Sequence, residues 1–132
     1  MIALRYLDWP AQPDGLPPEL REALGVEGTR AVTFYAYDLG GFIDREWLWR
    51  IDAKPDLVAQ VISSFELRRA GAVPPAFWRM APHYWPRSMP AGAEAFQSPW
   101  FSADGRGRDG AHYFLLYDKM HERAFVWYKN NF

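Results

Sequence analysis

Apolar and polar residues alternate along a segment in the first half of the chain. From 47 to 52 the sequence reads Trp-Leu-Trp-Arg-Ile-Asp, so positions 47, 49 and 51 share one face of an extended strand and 48, 50 and 52 the other. The segment 30–37 is rich in β-branched and aromatic residues, which also favour a strand. Asp38-Leu39-Gly40-Gly41 lies between them and is typical of a turn. Together these segments predict a β-hairpin.

Two further segments have the periodicity of amphipathic helices. Residues 16–25 begin near prolines, place Leu20 and Leu24 four positions apart, and end at a glycine that can adopt a left-handed cap. The stronger pattern begins near Pro55, and its apolar residues fall on one stripe. Its predicted end includes residues 68–69, two arginines whose charges complement the C-terminal end of a helix dipole.

The other predicted strands lie at the two ends of the chain, at 2–7, 96–101, 112–118 and 123–128, and the last two form a second hairpin. The order β-α-β-β-α-loop-β-β-β predicts an α+β fold, with an antiparallel sheet of four to five strands and two main helices on one face. No linker or internal repeat divides the sequence, so we expect residues 1–132 to form a single domain.

Residues 77–90, the aromatic loop, interrupt this pattern. Four bulky aromatic residues, three prolines, two arginines and one histidine occur within these fourteen positions. Proline removes a backbone donor and fixes φ, so the segment is expected to form loop, short helical turn or extended chain. Aromatic residues on such a loop either pin it to a core or face a ligand. The sequence leaves both alternatives open.

Composition and charge narrow the classes of function. The 132 residues include fifteen basic and sixteen acidic side chains, and this near-neutral balance argues against a nucleic-acid partner. Cysteine is absent, which excludes disulfides, zinc ribbons and a thiolate nucleophile. No apolar stretch has the length of a membrane span, and the N-terminal residues lack the pattern of a signal peptide. We therefore expect a cytoplasmic protein with no membrane partner.

No motif predicts catalysis, a metal site or a cofactor. Residues 105–110 match the spacing G-x-G-x-x-G, but a strand follows where a dinucleotide site needs a helix N-terminus, so we interpret them as a flexible loop between strands. The histidines, His83, His112 and His121, lack the spacing of metal ligands. His83 could act as a general base only with a carboxylate and a nucleophile in reach, and the sequence singles out neither.

The aromatic loop is the first candidate binding site. Arg79 and Arg87 flank its centre, and arginine beside tyrosine or tryptophan is typical of the residues that dominate protein interfaces. The first hypothesis is a non-enzymatic domain that binds a protein partner, or a second copy of itself, through 77–90 and the neighbouring hairpin. Aromatic rings are then apolar anchors, the arginines pair with acidic groups, and His83 tunes the contact with pH. The binding residues in this hypothesis are Trp78, Arg79, His83, Tyr84, Trp85, Arg87, Asp44 and Glu46.

A second hypothesis is a small-molecule or carbohydrate-binding protein, or a hydrolase, with a pocket between the aromatic loop and the sheet. Acidic residues cluster around the first hairpin, and paired carboxylates near tryptophans occur in sugar-binding and glycosidase sites. This hypothesis requires His83 to converge with one of Asp44, Glu46 and Asp52. A third is a structural subunit of a homo-oligomer, because a spare aromatic face can pack on itself.

Short aromatic motifs also carry a resemblance. They are the segment 47–52, Pro75-x-x-Trp78, Tyr84-Trp85-Pro86, the segment 113–118 and the terminal Tyr128-Lys129-Asn130-Asn131-Phe132. With these motifs, the stretch from Gly41 to Phe132 resembles small single-domain bacterial proteins of unassigned function. Some of those are candidate toxin-immunity proteins, which block a toxin by binding it. The resemblance implies a non-enzymatic, protein-binding role and carries over no catalytic residue.

Overall fold

In the computed structural model, which describes residues 15–40, 44–105 and 107–131, six strands form one antiparallel sheet. The strands are β1 (Thr33–Gly40), β2 (Arg45–Asp52), β3 (Arg68–Arg69), β4 (Glu94–Gln97), β5 (Gly110–Asp118) and β6 (Arg123–Asn131). Their order across the sheet is β1-β2-β6-β5-β4-β3. Both predicted hairpins, β1–β2 and β5–β6, are present. The strand predicted at 2–7 lies outside the described residues.

Two α-helices, α1 (Pro18–Arg30) and α2 (Pro55–Ser64), pack on one face of this sheet, and a short 3₁₀ helix (Pro75–Arg79) lies in the long segment after them. The predicted first helix is too short, because the chain continues helically past Gly25 after a kink at φ 74°. Within the described ranges, none of the helices combines the length and apolar character needed to cross a membrane. The predicted α+β class, with helices on one face, is confirmed.

The strand count differs from the predicted four to five because α2 ends earlier than expected. Glu66 adopts a left-handed φ of 55°, and the Leu67 N–H donates to the Ile62 carbonyl at 2.9 Å. This reverses the chain, so that Arg68 and Arg69 pair with β4 as a short edge strand rather than ending the helix. The strand predicted at 96–101 is also displaced, since β4 ends before Pro99.

Alternation along β2 divides its side chains between two apolar layers. On the helix face, Trp49 and Ile51 belong to a core that also contains residues of α1 and α2. On the opposite face, Leu48 belongs to a second core with Phe77 and Trp85. The predicted two-faced pattern of 47–52 is therefore confirmed. The second face of the sheet is covered by the aromatic loop, which shares residues with the 3₁₀ helix, and not by an α-helix.

A row of stacked rings crosses the helix face of the central strands. The ring centroids of Trp49 and Tyr128 are 4.9 Å apart, those of Tyr128 and Tyr113 are 5.2 Å apart, and those of Tyr113 and Phe65 are 4.1 Å apart. Burial raises the pKa of the Tyr113 phenol, and the negative charge of Glu19 raises this pKa further. The same two causes, in the same order, raise the pKa of Tyr128.

This row predicts a loss of stability in alkaline solution. Below about pH 10 the Tyr113 phenol is protonated in both the folded and the unfolded chain, so it does not make the free energy of unfolding depend on pH. At higher pH it ionises first in the unfolded chain, so Tyr113 is expected to lower the free energy of unfolding by about 1.4 kcal/mol per pH unit until its folded-state pKa is reached. Urea unfolding of the wild type and Tyr113→Phe between about pH 8 and 11 measures this slope. Equal alkaline slopes in the two proteins would contradict the prediction.

Candidate functional site

The inner side of the aromatic loop is part of the protein core. Phe77 is 0% exposed and Trp85 is 2% exposed. The Trp85 indole N–H donates to the Phe77 carbonyl at 2.6 Å, and the two ring centroids are 4.8 Å apart. The Trp85 ring also meets Phe125 of β6 edge to face at 5.5 Å. These two aromatic residues attach the loop to the sheet.

Arg87 braces the turn in the middle of the aromatic loop. Its guanidinium donates to the carbonyls of Met80, Ala81 and Pro82, the last at 3.1 Å, and Pro82 is buried. Several donors of one planar group thus hold consecutive backbone carbonyls, a geometry that suits arginine. The sequence hypothesis gives Arg87 a partner-binding role, and the structure shows that its side chain also supports its own loop.

The outer side of the aromatic loop presents the remaining predicted residues. Arg79 and His83 are exposed, whereas Trp78 and Tyr84 are half-buried. The Tyr84 ring centroid is 5.3 Å from that of Tyr35 on β1, and its hydroxyl donates to the Leu48 carbonyl at 3.3 Å. Tyr84 therefore contacts the first hairpin, which the sequence hypothesis names beside the loop as part of the binding surface.

The predicted carboxylates lie just before β2 and along it. Glu46 accepts a hydrogen bond from the Trp127 indole at 3.0 Å. Asp52 accepts two from the Arg50 guanidinium, at 2.7 and 2.8 Å. Asp44 precedes β2 and is half-buried. Both observed pairs tie neighbouring side chains of the sheet together.

The other two histidines lie near the ends of β5 and bind nearby groups. His112 Nε2 lies 3.0 Å from the Arg108 carbonyl, and His121 Nδ1 lies 2.8 Å from Asp118 Oδ2. Across the residues that the structure describes, no group of three or more histidine and carboxylate side chains is placed to hold a metal ion.

A second surface, which the sequence did not suggest, lies where β3 ends the sheet. We call Arg68–Gly71 and the hollows on either side of it the β3 edge. One hollow, of about 690 Å³, extends along Arg68 to Gly71 and is bounded by Trp100. The other, of about 440 Å³, shares Arg69 to Gly71 and is bounded by Trp78 and Met89 of the aromatic loop. Trp78 thus belongs to both the predicted loop site and this edge.

Large apolar side chains are exposed on both sides of the β3 edge. Trp100 is 55% exposed and Met89 is 49% exposed. The Arg108 guanidinium carbon lies 3.7 Å from the Trp100 ring centroid, so a cation covers one face of the indole. The sequence does contain a signal for this surface, since Trp100 follows a proline in a polar stretch, but it does not show that Trp100 lies beside residues thirty positions earlier.

The charges at the β3 edge are predominantly positive. Arg69 pairs with Glu94 at 2.7 Å, and Lys119 pairs with the same carboxylate. The hydrogen bond from Lys119 is the main cause that holds the pKa of Glu94 below its ordinary value, with further contributions from both cations. Arg68 forms no ion pair with any described residue. Arg68 and Arg69 form the strand itself and Arg108 covers Trp100 at its border, so the edge attracts anionic groups.

Neither a scan of protein-family models nor searches of the curated proteins and of the solved structures found a protein that this chain significantly matches.

Proposed function

We propose that the protein is a non-enzymatic domain that binds a partner protein by docking an extended, acidic segment of it along the β3 edge. The observation that carries this proposal is the position of a short, basic edge strand between two hollows with exposed apolar walls. The aromatic loop contributes Trp78 and Met89 to one of these walls. An immunity-like role, in which the partner is a toxin, is one form of this function.

Backbone geometry supports the addition of a strand. The Ala70 N–H donates to the Ala95 carbonyl at 2.8 Å, so Ala70 faces β4. Neighbouring residues of an antiparallel strand alternate in direction, and the backbone groups of Arg69 therefore point away from β4. A peptide in extended conformation can pair with outward-pointing groups of this kind, as in other cases of strand addition.

Side chains around the edge support a protein ligand in particular. Short length and charge are common devices that keep an edge strand from pairing with other chains, and β3 has both. Protection of the edge does not explain why tryptophan and methionine are exposed beside the strand, so these residues point to a second role for this surface. Tryptophan, methionine and arginine are enriched in protein interfaces, and the two hollows could each receive an apolar side chain of the segment. The arginines favour acidic residues between those anchors.

Selection from a library of displayed random peptides tests this proposal, because it does not require the partner to be identified first. We expect the selected sequences to be acidic and to contain spaced apolar residues. Calorimetry then measures their affinity for the wild type, Arg68→Glu and Trp100→Ala. Each substitution is expected to weaken binding about 10- to 100-fold, because interface arginine and tryptophan side chains commonly contribute effects of this size.

Matched controls place the same chemical changes elsewhere on the surface. Arg21→Glu reverses an exposed charge on α1, and Met120→Ala removes an exposed apolar side chain from the β5–β6 turn. Neither control is expected to alter the affinity. Selected peptides that are basic, or whose affinity falls equally in the control variants, would refute docking at the β3 edge.

A further inference from the structure

A cavity on the helix face of the sheet lies apart from the β3 edge. Its volume is about 240 Å³, and it lies between the N-terminal end of α1 and strands β1, β2 and β6. This volume corresponds to roughly eight water molecules at about 30 Å³ each, enough for a small organic ligand. The described residues that line it are Gly15, Pro17, Glu19, Phe34, Ala36, Trp47, Trp49 and Tyr128.

Four of the eight described residues that line the cavity are aromatic, and of these Trp47 and Tyr128 are half-buried. Phe34, Trp47, Trp49 and Tyr128 come from three neighbouring strands, and the alternation of each strand places them on the same face. Trp49 is fixed by its stack on Tyr128 and by a tilted contact with Phe34 at 6.2 Å. Aromatic rings attract cations through their negative faces, and tryptophan does so most strongly.

One carboxylate completes the wall. Glu19 is the single charged side chain among the described residues that line the cavity, and it is half-buried in the first turn of α1. The charge of Glu19 contributes to the raised pKa values of Tyr113 and Tyr128, which places its field over the aromatic row beside the cavity.

We propose that this cavity binds an organic ammonium ion, with the positive group held by Glu19 and by the half-buried rings of Trp47 and Tyr128. This inference goes beyond the proposed binding of a protein segment and rests on different residues. A methylated ammonium group suits the site because it is cationic and needs few hydrogen bonds, so rings can replace its hydration shell. A bare Ca²⁺ or Mg²⁺ ion instead requires several oxygen ligands, and a single carboxylate does not supply them.

Choline and its neutral isostere 3,3-dimethylbutan-1-ol provide a direct test. The two molecules have nearly the same shape, but only choline carries a positive charge. Isothermal titration calorimetry with the full chain is expected to show at least about tenfold tighter binding of choline. Equal affinity for the two compounds would overturn the proposal in favour of an apolar site, and so would the absence of choline binding up to about 10 mM.

Two substitutions on α1 locate the binding. Glu19→Gln keeps the size of the side chain and removes its charge, and it is expected to weaken choline binding about tenfold or more. Glu22→Gln makes the same change at an exposed position of the helix and is expected to leave binding unchanged. Similar losses in both variants, or in neither, would overturn the assignment to this cavity.

A second measurement separates loss of the site from loss of the fold. Thermal unfolding of both variants should stay close to the wild type, because neither change removes buried apolar surface and the loss of a charge in the first helical turn costs at most about 1 kcal/mol. In NMR spectra, choline should shift the indole N–H signal of Trp47 in the wild type, and choline-induced shifts confined to Trp78 and Trp100 would contradict the proposal. Trp100→Ala, which alters the β3 edge, should retain choline binding. A negative result for ammonium binding in the cavity therefore leaves the proposal for the β3 edge untouched, and the reverse also holds.

Discussion

Replacing Trp85 by alanine is expected to lower the free energy of unfolding by about 3–5 kcal/mol. The side chain is almost completely buried between Phe77 and Phe125, and its removal leaves a cavity between the aromatic loop and the sheet. It also removes the donor that satisfies the Phe77 carbonyl. Urea unfolding monitored by circular dichroism measures the change. A decrease of this size amounts to a large fraction of the stability of an ordinary domain.

Controls within the same loop distinguish core packing from general sensitivity. His83→Ala and Arg79→Ala alter exposed side chains and are expected to change the free energy of unfolding by less than about 0.5 kcal/mol. If Trp85→Ala also changes it by less than about 1 kcal/mol, the aromatic loop does not contribute to the core as the structure indicates. In that case the two alternatives from the sequence, core attachment and ligand contact, would again be equally supported.

The role of the inner loop residues could have been predicted from the strands. Along β5 and β6, apolar residues occupy consecutive positions, as in Tyr113–Tyr117 and Ala124–Trp127, and all of these residues are buried. A strand with apolar residues on both sides needs a covering layer on each face. The two predicted helices cover one face. The aromatic loop is the longest remaining apolar segment, so it is the natural candidate for the other.

The β3 edge could not be predicted in the same way. Its formation depends on a left-handed conformation at Glu66, a residue type that does not favour positive φ, and on pairing with a strand more than twenty positions later. Local sequence favours a helix end at Arg68 and Arg69, and tertiary contacts override it. The hollows beside the edge arise from the same long-range pairing, so the candidate site became visible only in the structure.

For residues 102–110, the sequence predicts the position of the loop but not the contacts that hold it. The sequence indicates that a strand follows the glycine-rich segment, and β5 does begin at Gly110. The sequence does not indicate which side chains attach the glycine-rich loop to the sheet. The Lys129 ammonium donates to the carbonyls of Ser102 and Gly105 at 2.8 and 2.7 Å, and the Asn131 side-chain amide donates to the Arg108 carbonyl at 2.8 Å. Both donors come from the end of β6, which lies beside β5 in the sheet.

Replacing Lys129 by methionine is therefore expected to destabilise the protein, by about 2–4 kcal/mol. Lys129 is only 4% exposed, and its ammonium group also lies 5.4 Å from the Trp127 ring centroid. Methionine preserves length and apolar packing, but it leaves two backbone carbonyls without their donor, and the desolvation of the lysine that it relieves offsets only part of that loss. Urea unfolding measures the global effect, and hydrogen exchange at 102–110 measures the local one.

The same substitution at an exposed lysine provides the control for this prediction. Lys54→Met, just before α2, is expected to change the free energy of unfolding by less than about 0.5 kcal/mol. If Lys129→Met is as stable as this control, the two hydrogen bonds contribute nothing net, and burial of the ammonium offsets them completely. Exchange that becomes faster in the glycine-rich loop by more than in the rest of the protein would instead show that Lys129 holds this loop against the sheet, because local bonds would then have been broken in addition to the global loss.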